Sequence, residues 1–308
     1  MTLLRDLSQF PTTLRGGAVS IGNFDGVHRG HAQIMARLRA VATELGGPAV
    51  VFTFDPHPIE VLRPHVAPRP LSTTARKYDL LRELGIDAVI AYPTDRAFLD
   101  LEARQFFEQV VCERLGARAV VEGHNFRFGR GRGGDVETMQ QFCAAAGLRC
   151  EIVPAVELHD EVVSSSRVRA AVAAGRLDVV RRLLTRPYRV SGTVVHGAGR
   201  GRALGFPTAN VADVATLLPA EGIYAGRAAV DGATWPAAIS LGPNPTFGDA
   251  GQKFEAHLIG FDGDLYDRPL AVDFLARLRD VERFDSVEAL LTQMRRDVSA
   301  AAAIAAEP

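Results

Sequence analysis

Lysine is almost missing from this chain. Of its 35 basic residues, only Lys77 and Lys253 are lysines. No Gly-Lys pair occurs, which excludes a P-loop, whose phosphate-binding lysine follows a glycine. Any phosphate must therefore be met by arginine, histidine or backbone N–H groups. Cysteine is scarce as well. Cys112, Cys143 and Cys150 are odd in number and lack metal-ligand spacing, as expected of reduced thiols in a cytosolic protein rather than of a disulfide framework or a zinc site. No apolar leader opens the chain, and no run reaches the roughly 20 residues of a membrane span. The formal net charge of −1 leaves no electrostatic footprint for nucleic acid or an anionic membrane. The expectation is a soluble cytoplasmic protein acting on small molecules, monomeric or a weak homo-oligomer, with no nucleic-acid or membrane partner.

What is present has the texture of two domains, as 308 residues suggest. From residue 18 to about 155, apolar strand candidates at 18–21, 49–54, 87–92, 117–122 and 149–153 alternate with helical stretches near 31–45, 74–84, 102–115 and 135–146. Short buried strands separated by helices predict an α/β domain, a parallel sheet covered on both faces. The texture changes at Thr185-Arg186-Pro187-Tyr188. Runs at 188–195, 222–230, 234–241, 254–261 and 270–275, with turns at Asp231-Gly232 and Asp262-Gly263-Asp264, predict a small antiparallel β-barrel. A final helix is expected to open at Asp285, with Glu288 placed for a capping box. The expected domains are 1–186 and 187–308.

The most informative segment is Gly22-Asn23-Phe24-Asp25-Gly26-Val27-His28-Arg29-Gly30-His31. It follows the first strand and opens a helix marked by Ile34, Leu38, Val41 and Leu45. Two histidines three residues apart at a helix start share a face, where the dipole favours an anion. In this strand–loop–helix setting HxGH is the signature of nucleotidylyltransferases. The plainer alternative is a pair of histidines satisfying loop carbonyls. Phe54-Asp55-Pro56-His57-Pro58 leaves the second strand at the same edge and presents Asp55 and His57.

Ser164-Ser165-Ser166-Arg167-Val168-Arg169 opens a second helix with hydroxyls and two arginines, suited to nucleotide phosphates or, more plainly, to capping. Adenylyl transfer needs donors on the α-phosphate and others on the departing pyrophosphate, and the two motifs supply both sets. Asn125-Phe126-Arg127-Phe128 is an aromatic–polar loop able to hold a planar ring system or to plug the core.

In the barrel, Gly197-Ala198-Gly199-Arg200-Gly201-Arg202-Ala203-Leu204-Gly205 lacks the spacing and context of a dinucleotide fingerprint. It reads instead as a flexible glycine–arginine flap over nucleotide phosphates, with no helix N-terminus meeting a pyrophosphate. Thr208 and Asn210 alternate onto one face and offer neutral oxygens that suit Mg²⁺ when ATP phosphates provide the charge. Period two places Glu255 and His257 on one face and Phe254, Ala256 and Leu258 on the other. Glu255 is then either a solvated carboxylate or a base for a substrate hydroxyl.

Together these residues resemble the prokaryotic bifunctional riboflavin kinase/FAD synthetase family. The likeness rests on GNFDGVHRGH (22–31), FTFDPHP (52–58), NFRFG (125–129), SSSRVR (164–169), GRALGFPTAN (201–210), GIYAG (222–226), EAHLIGFDGDLY (255–266) and RFDS (283–286). The resemblance implies a Rossmann-like nucleotidylyltransferase domain that makes FAD from FMN and ATP, and a barrel that phosphorylates riboflavin with ATP. It implies that His28 and His31 stabilise the adenylyl transition state. Asn23, Asp25, Ser165, Ser166, Arg169, Gly199 and Arg202 would serve the nucleotides, and Asn125, Phe126, Phe128 and Arg279 the flavin. Thr208 and Asn210 would hold Mg²⁺, with Glu255 as general base. Three positions depart from the common pattern: Asn125 where Asp is frequent, Ser166 where Thr is frequent, and Asp267 where Gly is usual. At Asp267 a positive φ is expected, which Asp tolerates better than most residues. A flavin-sensing regulator would have lost these side chains, and a generic adenylyltransferase would leave the barrel motifs idle.

Overall fold

In a computed structural model, residues 2–8, 10–197, 199–244 and 249–307 are described, apart from the side chains of residues 203, 244 and 249–252. Two compact units result. The first comprises residues 1–68 and 73–164, the second residues 69–72 and 165–308.

The first unit is built on six strands: β1 (Thr2–Leu4), β2 (Ala18–Ile21), β3 (Ala49–Asp55), β4 (Ala88–Pro93), β5 (Ala119–Gly123) and β6 (Arg149–Val153). They pair in the order β1-β4-β3-β2-β5-β6, every pair parallel. The strands are apolar runs because both faces are covered. Met35, Leu38 and Val41 of the helix Arg29–Leu45 pack on one face with Val51 and Val121. Phe52, Phe106, Phe107, Val110 and Met139 fill the other. The helical stretch expected at 102–115 spans Ala103–Arg114, with π geometry over Phe107–Arg114. The edge strand β1 and the small hairpin of β7 (Glu157–Leu158) and β8 (Glu161–Val162) had no counterpart in the sequence reading.

Strand order reverses between β2 and β5, and in such sheets the crevice at the reversal is the usual ligand site. Pairing there covers only Ala18↔Ala119 and Val19↔Val120. Beyond it the strands part, and the Ile21 N–H donates to Glu122 Oε1 at 2.6 Å instead. Burial raises the carboxyl of Glu122 well above its ordinary value, with the bond from the Ile21 N–H partly opposing.

The second unit is a closed barrel, β10-β13-β12-β11-β14-β9, antiparallel throughout. Its strands are β9 (Tyr188–Val195), β10 (Ala209–Ala212), β11 (Gly222–Val230), β12 (Ala233–Asn244), β13 (Asp249–Leu258) and β14 (Pro269–Arg279). Asp231 (φ 51°) and Gly232 (φ 79°) make the tight turn between β11 and β12, the conformation that two-residue hairpins require. Asp267 has the expected positive φ of 59°. Helices Ser165–Ala173 and Leu177–Leu183 belong to this unit, as does the terminal helix Val287–Ala306, which packs on β11, β12 and β14. That helix is capped by Ser286, whose Oγ accepts from the Ala289 N–H at 3.1 Å, one residue later than the expected start at Asp285. Serine wins because its hydroxyl reaches the third N–H of the first turn.

Candidate active sites

In the first unit, β2 runs into a loop with three left-handed residues: Phe24 (φ 46°), Gly26 (φ 78°) and Val27 (φ 40°). Two of these are not glycine, and such strain persists only where the surroundings enforce it. Val27 is fully buried and Phe24 nearly so, which anchors the loop as it turns into the helix. His28 caps that helix, its Nδ1 accepting from the His31 N–H at 3.3 Å. One of the first-turn N–H groups expected to face an anion is therefore already taken. The bond also assigns the His28 proton to Nε2. The rings of His28 and His31 stack at 3.6 Å with 17° between their planes. Gly30 permits this, since a Cβ there would meet the His28 ring at 3.2 Å.

Burial pushes the His28 pKa down to about 4, with Asp25 partly opposing. His31 is also driven well below its ordinary value, first by burial and then by the charges of His28 and Lys77. The pair is thus neutral at neutral pH. Its loop carries two unpartnered buried atoms among the described residues, Asn23 Oδ1 and His31 Nδ1.

Asn125 follows β5 and is exposed. Phe126 stacks on Phe128 at 5.4 Å. Phe128 itself is buried in the core against Phe106, so only Phe126 offers a partly open ring. His57 caps the short helix Pro58–Leu62, and Asp55 receives Arg5 Nη1 at 3.2 Å.

In the second unit the site lies on the outer face of the barrel. Asn210 stands opposite Glu255, Glu255 opposite Ser240, Ser240 opposite Ile223 and Ile223 opposite Arg279. Directly opposed residues share a face, so one row of side chains crosses five strands. Glu255, Ser240, Ile223 and Arg279 line a cavity of about 140 Å³ with Thr208 and His257, while Leu290, Met294 and Asp297 of the terminal helix form its far wall. The alternation expected for β13 is present: Phe254, Ala256 and Leu258 are buried, and Glu255 and His257 face the cavity.

Arg279 is held by Asp297 (Nη2–Oδ2 2.7 Å, Nε–Oδ1 3.1 Å), and Gln293 Nε2 donates to the same carboxylate at 2.9 Å. The glycine–arginine segment lies against the two neutral ligand candidates. A Cβ at Gly197 would strike the Asn210 carboxamide, and one at Gly201 would sit 3.1 Å from Thr208 Oγ1. Within this flap Arg200–Ala203 forms one helical turn, entered through Gly199 at φ 69°. The Leu204 and Gly205 N–H groups return to it, closing a turn that sequence spacing alone does not reveal. Ala198 lies outside the described residues. Arg202 is exposed.

The FAD synthetase family model matches residues 10–167 and the riboflavin kinase model residues 184–305. Bifunctional riboflavin kinase/FMN adenylyltransferases from Pseudomonas fluorescens (41% identical, over 99% of this chain and 98% of the relative) and Escherichia coli K12 (34%, over 96% and 94%) match along their length. The chain belongs to the bifunctional riboflavin kinase/FMN adenylyltransferase family. The Bacillus subtilis member is 31% identical over 91% of this chain and 89% of its own. The crystal structure of a macrolide-efflux protein from Streptococcus pneumoniae superposes with a TM-score of 0.86 at 29% identity, over 97% of both chains. Among the described residues here, no helix is long and apolar enough to cross a membrane.

Within this family frame, the structure brings His28 together with His31, and Thr208 with Glu255 and Arg279. Ser165 and Ser166 open the helix Ser165–Ala173, and Arg169 on it donates from Nε to the Arg69 carbonyl at 3.1 Å. Sequence reasoning did not single out Asp297, a buried carboxylate three residues after Met294 and seven after Leu290, on the face of the terminal helix turned to the cavity. It also passed over Lys77, although that residue's rarity was a usable signal.

Proposed function

We propose that residues 1–186 carry the adenylyl transfer of this family and residues 187–308 its riboflavin kinase reaction. In the first, a phosphate oxygen of FMN attacks the α-phosphorus of ATP and pyrophosphate leaves, with no side-chain nucleophile. His28 and His31, neutral and stacked, donate N–H groups to the charge that develops on the α-phosphate. Asn23 and Asp25 shape the loop that carries them. Asn125 and Phe126 receive the flavin, with Phe128 acting as support for Phe126. To Ser165, Ser166 and Arg169 we assign, on the family motif alone, the phosphates of ATP.

In the second reaction, a ribityl hydroxyl of riboflavin attacks the γ-phosphorus of ATP, and Glu255 accepts the hydroxyl proton. To Arg279, fixed by Asp297, we assign the flavin, and to Gly199 and Arg202, on the family motif alone, the nucleotide. The residues fit Mg²⁺: Thr208 and Asn210 offer hard neutral oxygens, and the backbone at Gly197 and Gly201 approaches them so closely that a Cβ there would collide. When bound, the ion would neutralise phosphate charge during transfer.

The observation carrying this reading is that Glu255 shares a row with Asn210 and a cavity with Thr208 and Arg279. That is a base beside neutral metal ligands, in a unit separate from the histidine pair. Incubating the protein with riboflavin, ATP and Mg²⁺ should yield FMN and then FAD, separable by chromatography. Appearance of neither product would overturn the reading.

A further inference from the structure

The two lysines of this chain are its least expected residues, and one of them is buried. Lys77, on the helix Thr74–Glu83, is only 8% exposed. Its ammonium donates to Thr53 Oγ1 at 3.3 Å, and Thr53, itself buried on β3, donates the same hydroxyl to the Asn23 carbonyl at 3.2 Å. A three-member chain thus runs from a helix of the scaffold, through a central strand, to the first residues of the loop that ends in His28. Burial alone would lower the amine's pKa, and the carboxylates of Asp25, Asp55 and Glu60 act to keep it charged. Asp25 is buried in the same loop. On its other side the Lys77 charge reaches the His31 imidazole, which also meets the stacked His28 ring and the edge of Phe24 at 5.2 Å.

Two features argue against a role in stability alone. A buried amine is costly, and an apolar side chain of similar length fills such a space at less cost. The surface ion pairs of the first unit, such as Arg37 with Glu151 and Arg104 with Glu108, are made by arginine. A compact ammonium, unlike a forked guanidinium, places one point charge in a small space.

We propose that Lys77 is a positioning residue of the adenylyl site, holding the Asn23–His28 loop through Thr53 and fixing a positive charge behind His31. The role rests on the assignment of His28 and His31 to adenylyl transfer. With Asp25 beside it, the charge leaves the loop nearly neutral before substrate arrives and favours the anionic phosphates once they do. It also keeps His31 as the neutral imidazole, one nitrogen of which remains a donor and the other an acceptor.

The test uses the full-length protein and two variants. Lys77→Met removes the charge at nearly constant length. It should lower kcat for FAD formation from FMN and ATP by about 10- to 100-fold, comparable to losing a group that orients another. FMN formation from riboflavin should be unchanged and the melting temperature equal or higher. In ¹⁵N-histidine spectra, assigned with His28→Gln and His31→Gln, His31 should titrate at higher pH than in the wild type, because a neighbouring positive charge is gone. Thr53→Val cuts the link to Asn23 but keeps the charge. It should lower kcat while leaving the His31 titration in place, and it stands in should Lys77→Met fail to fold. Wild-type kcat in either variant overturns the anchoring role, and an unmoved His31 titration in Lys77→Met overturns the charge role. His31→Ala, run in parallel, separates the two readings. If it too makes FAD at the wild-type rate, the assignment of the histidines fails; if it is inactive while the Lys77 variant is not, only the present proposal fails.

Discussion

Neutral histidines make the adenylyl site sensitive to acid, and the size of the effect can be worked out for His28. The residue is 6% exposed and its pKa is pushed down to about 4 by burial, against about 6.5 in an unfolded chain. The folded value is the depressed one. Protons therefore bind the unfolded state first, and the associated stability, complete above pH 6.5, is lost as pH falls through the window from 6.5 to 4. Integrating the linkage relation, this single group costs about 2 kcal/mol between pH 7 and 5 and about 3 kcal/mol by pH 4. His31, displaced the same way, adds to the loss. His28→Gln cannot titrate. It forfeits a helix cap, worth about 1 kcal/mol, but by the same amount at both pH values. Hydrogen exchange of the β2 and β3 amides, measured with increasing urea at pH 7 and pH 5, reports the stability of this unit directly. The wild type should lose about 2 kcal/mol more than His28→Gln on going to pH 5. Equal losses in the two proteins would refute the claim that the site holds its imidazole neutral by burial.

Two further outcomes follow from the barrel. Thr208→Ala should raise the Mg²⁺ concentration needed for half-maximal FMN formation roughly tenfold or more, without affecting FAD formation from supplied FMN; a metal titration of kinase activity checks it. Asp297→Ala leaves Arg279 without its main partner at a site where the two side chains are only 16% and 10% exposed. It should destabilise the terminal helix by about 2–4 kcal/mol and raise the KM for riboflavin, whereas Asp297→Asn, which keeps the acceptor oxygen, should cost less in both urea unfolding and kinetics.

The parts of this structure that were legible in the sequence are those whose cause is local. The β2–loop–helix segment could be read because ten consecutive residues carry the strand, the turn glycines and the cap. The faces of β13 could be read because period two needs no knowledge of neighbours. What escaped is what depends on distant residues. Asn210, Glu255, Ser240, Ile223 and Arg279 form one row only after register sets five strands side by side. Asp297 meets Arg279 only once the terminal helix docks on the barrel. Aromatic–polar alternation looks the same whether a ring is open or buried, so the burial of Phe128 against Phe106 is a tertiary fact that the motif leaves open. The single turn at Arg200–Ala203 is too short for any periodicity to announce it.

If the histidine pair and Glu255 serve separate active sites on one chain, variants at the two sites should complement each other in a mixture. His31→Ala should form FMN normally but lose about 10²–10³-fold in adenylyl transfer. Glu255→Gln should lose about 10²–10⁴-fold in the kinase step yet make FAD from supplied FMN. Given riboflavin, ATP and Mg²⁺, neither variant alone should accumulate FAD, and an equimolar mixture should do so at close to half the wild-type rate. FAD production from riboflavin by either variant alone at the wild-type rate, or a mixture of folded variants that makes none, would contradict the account.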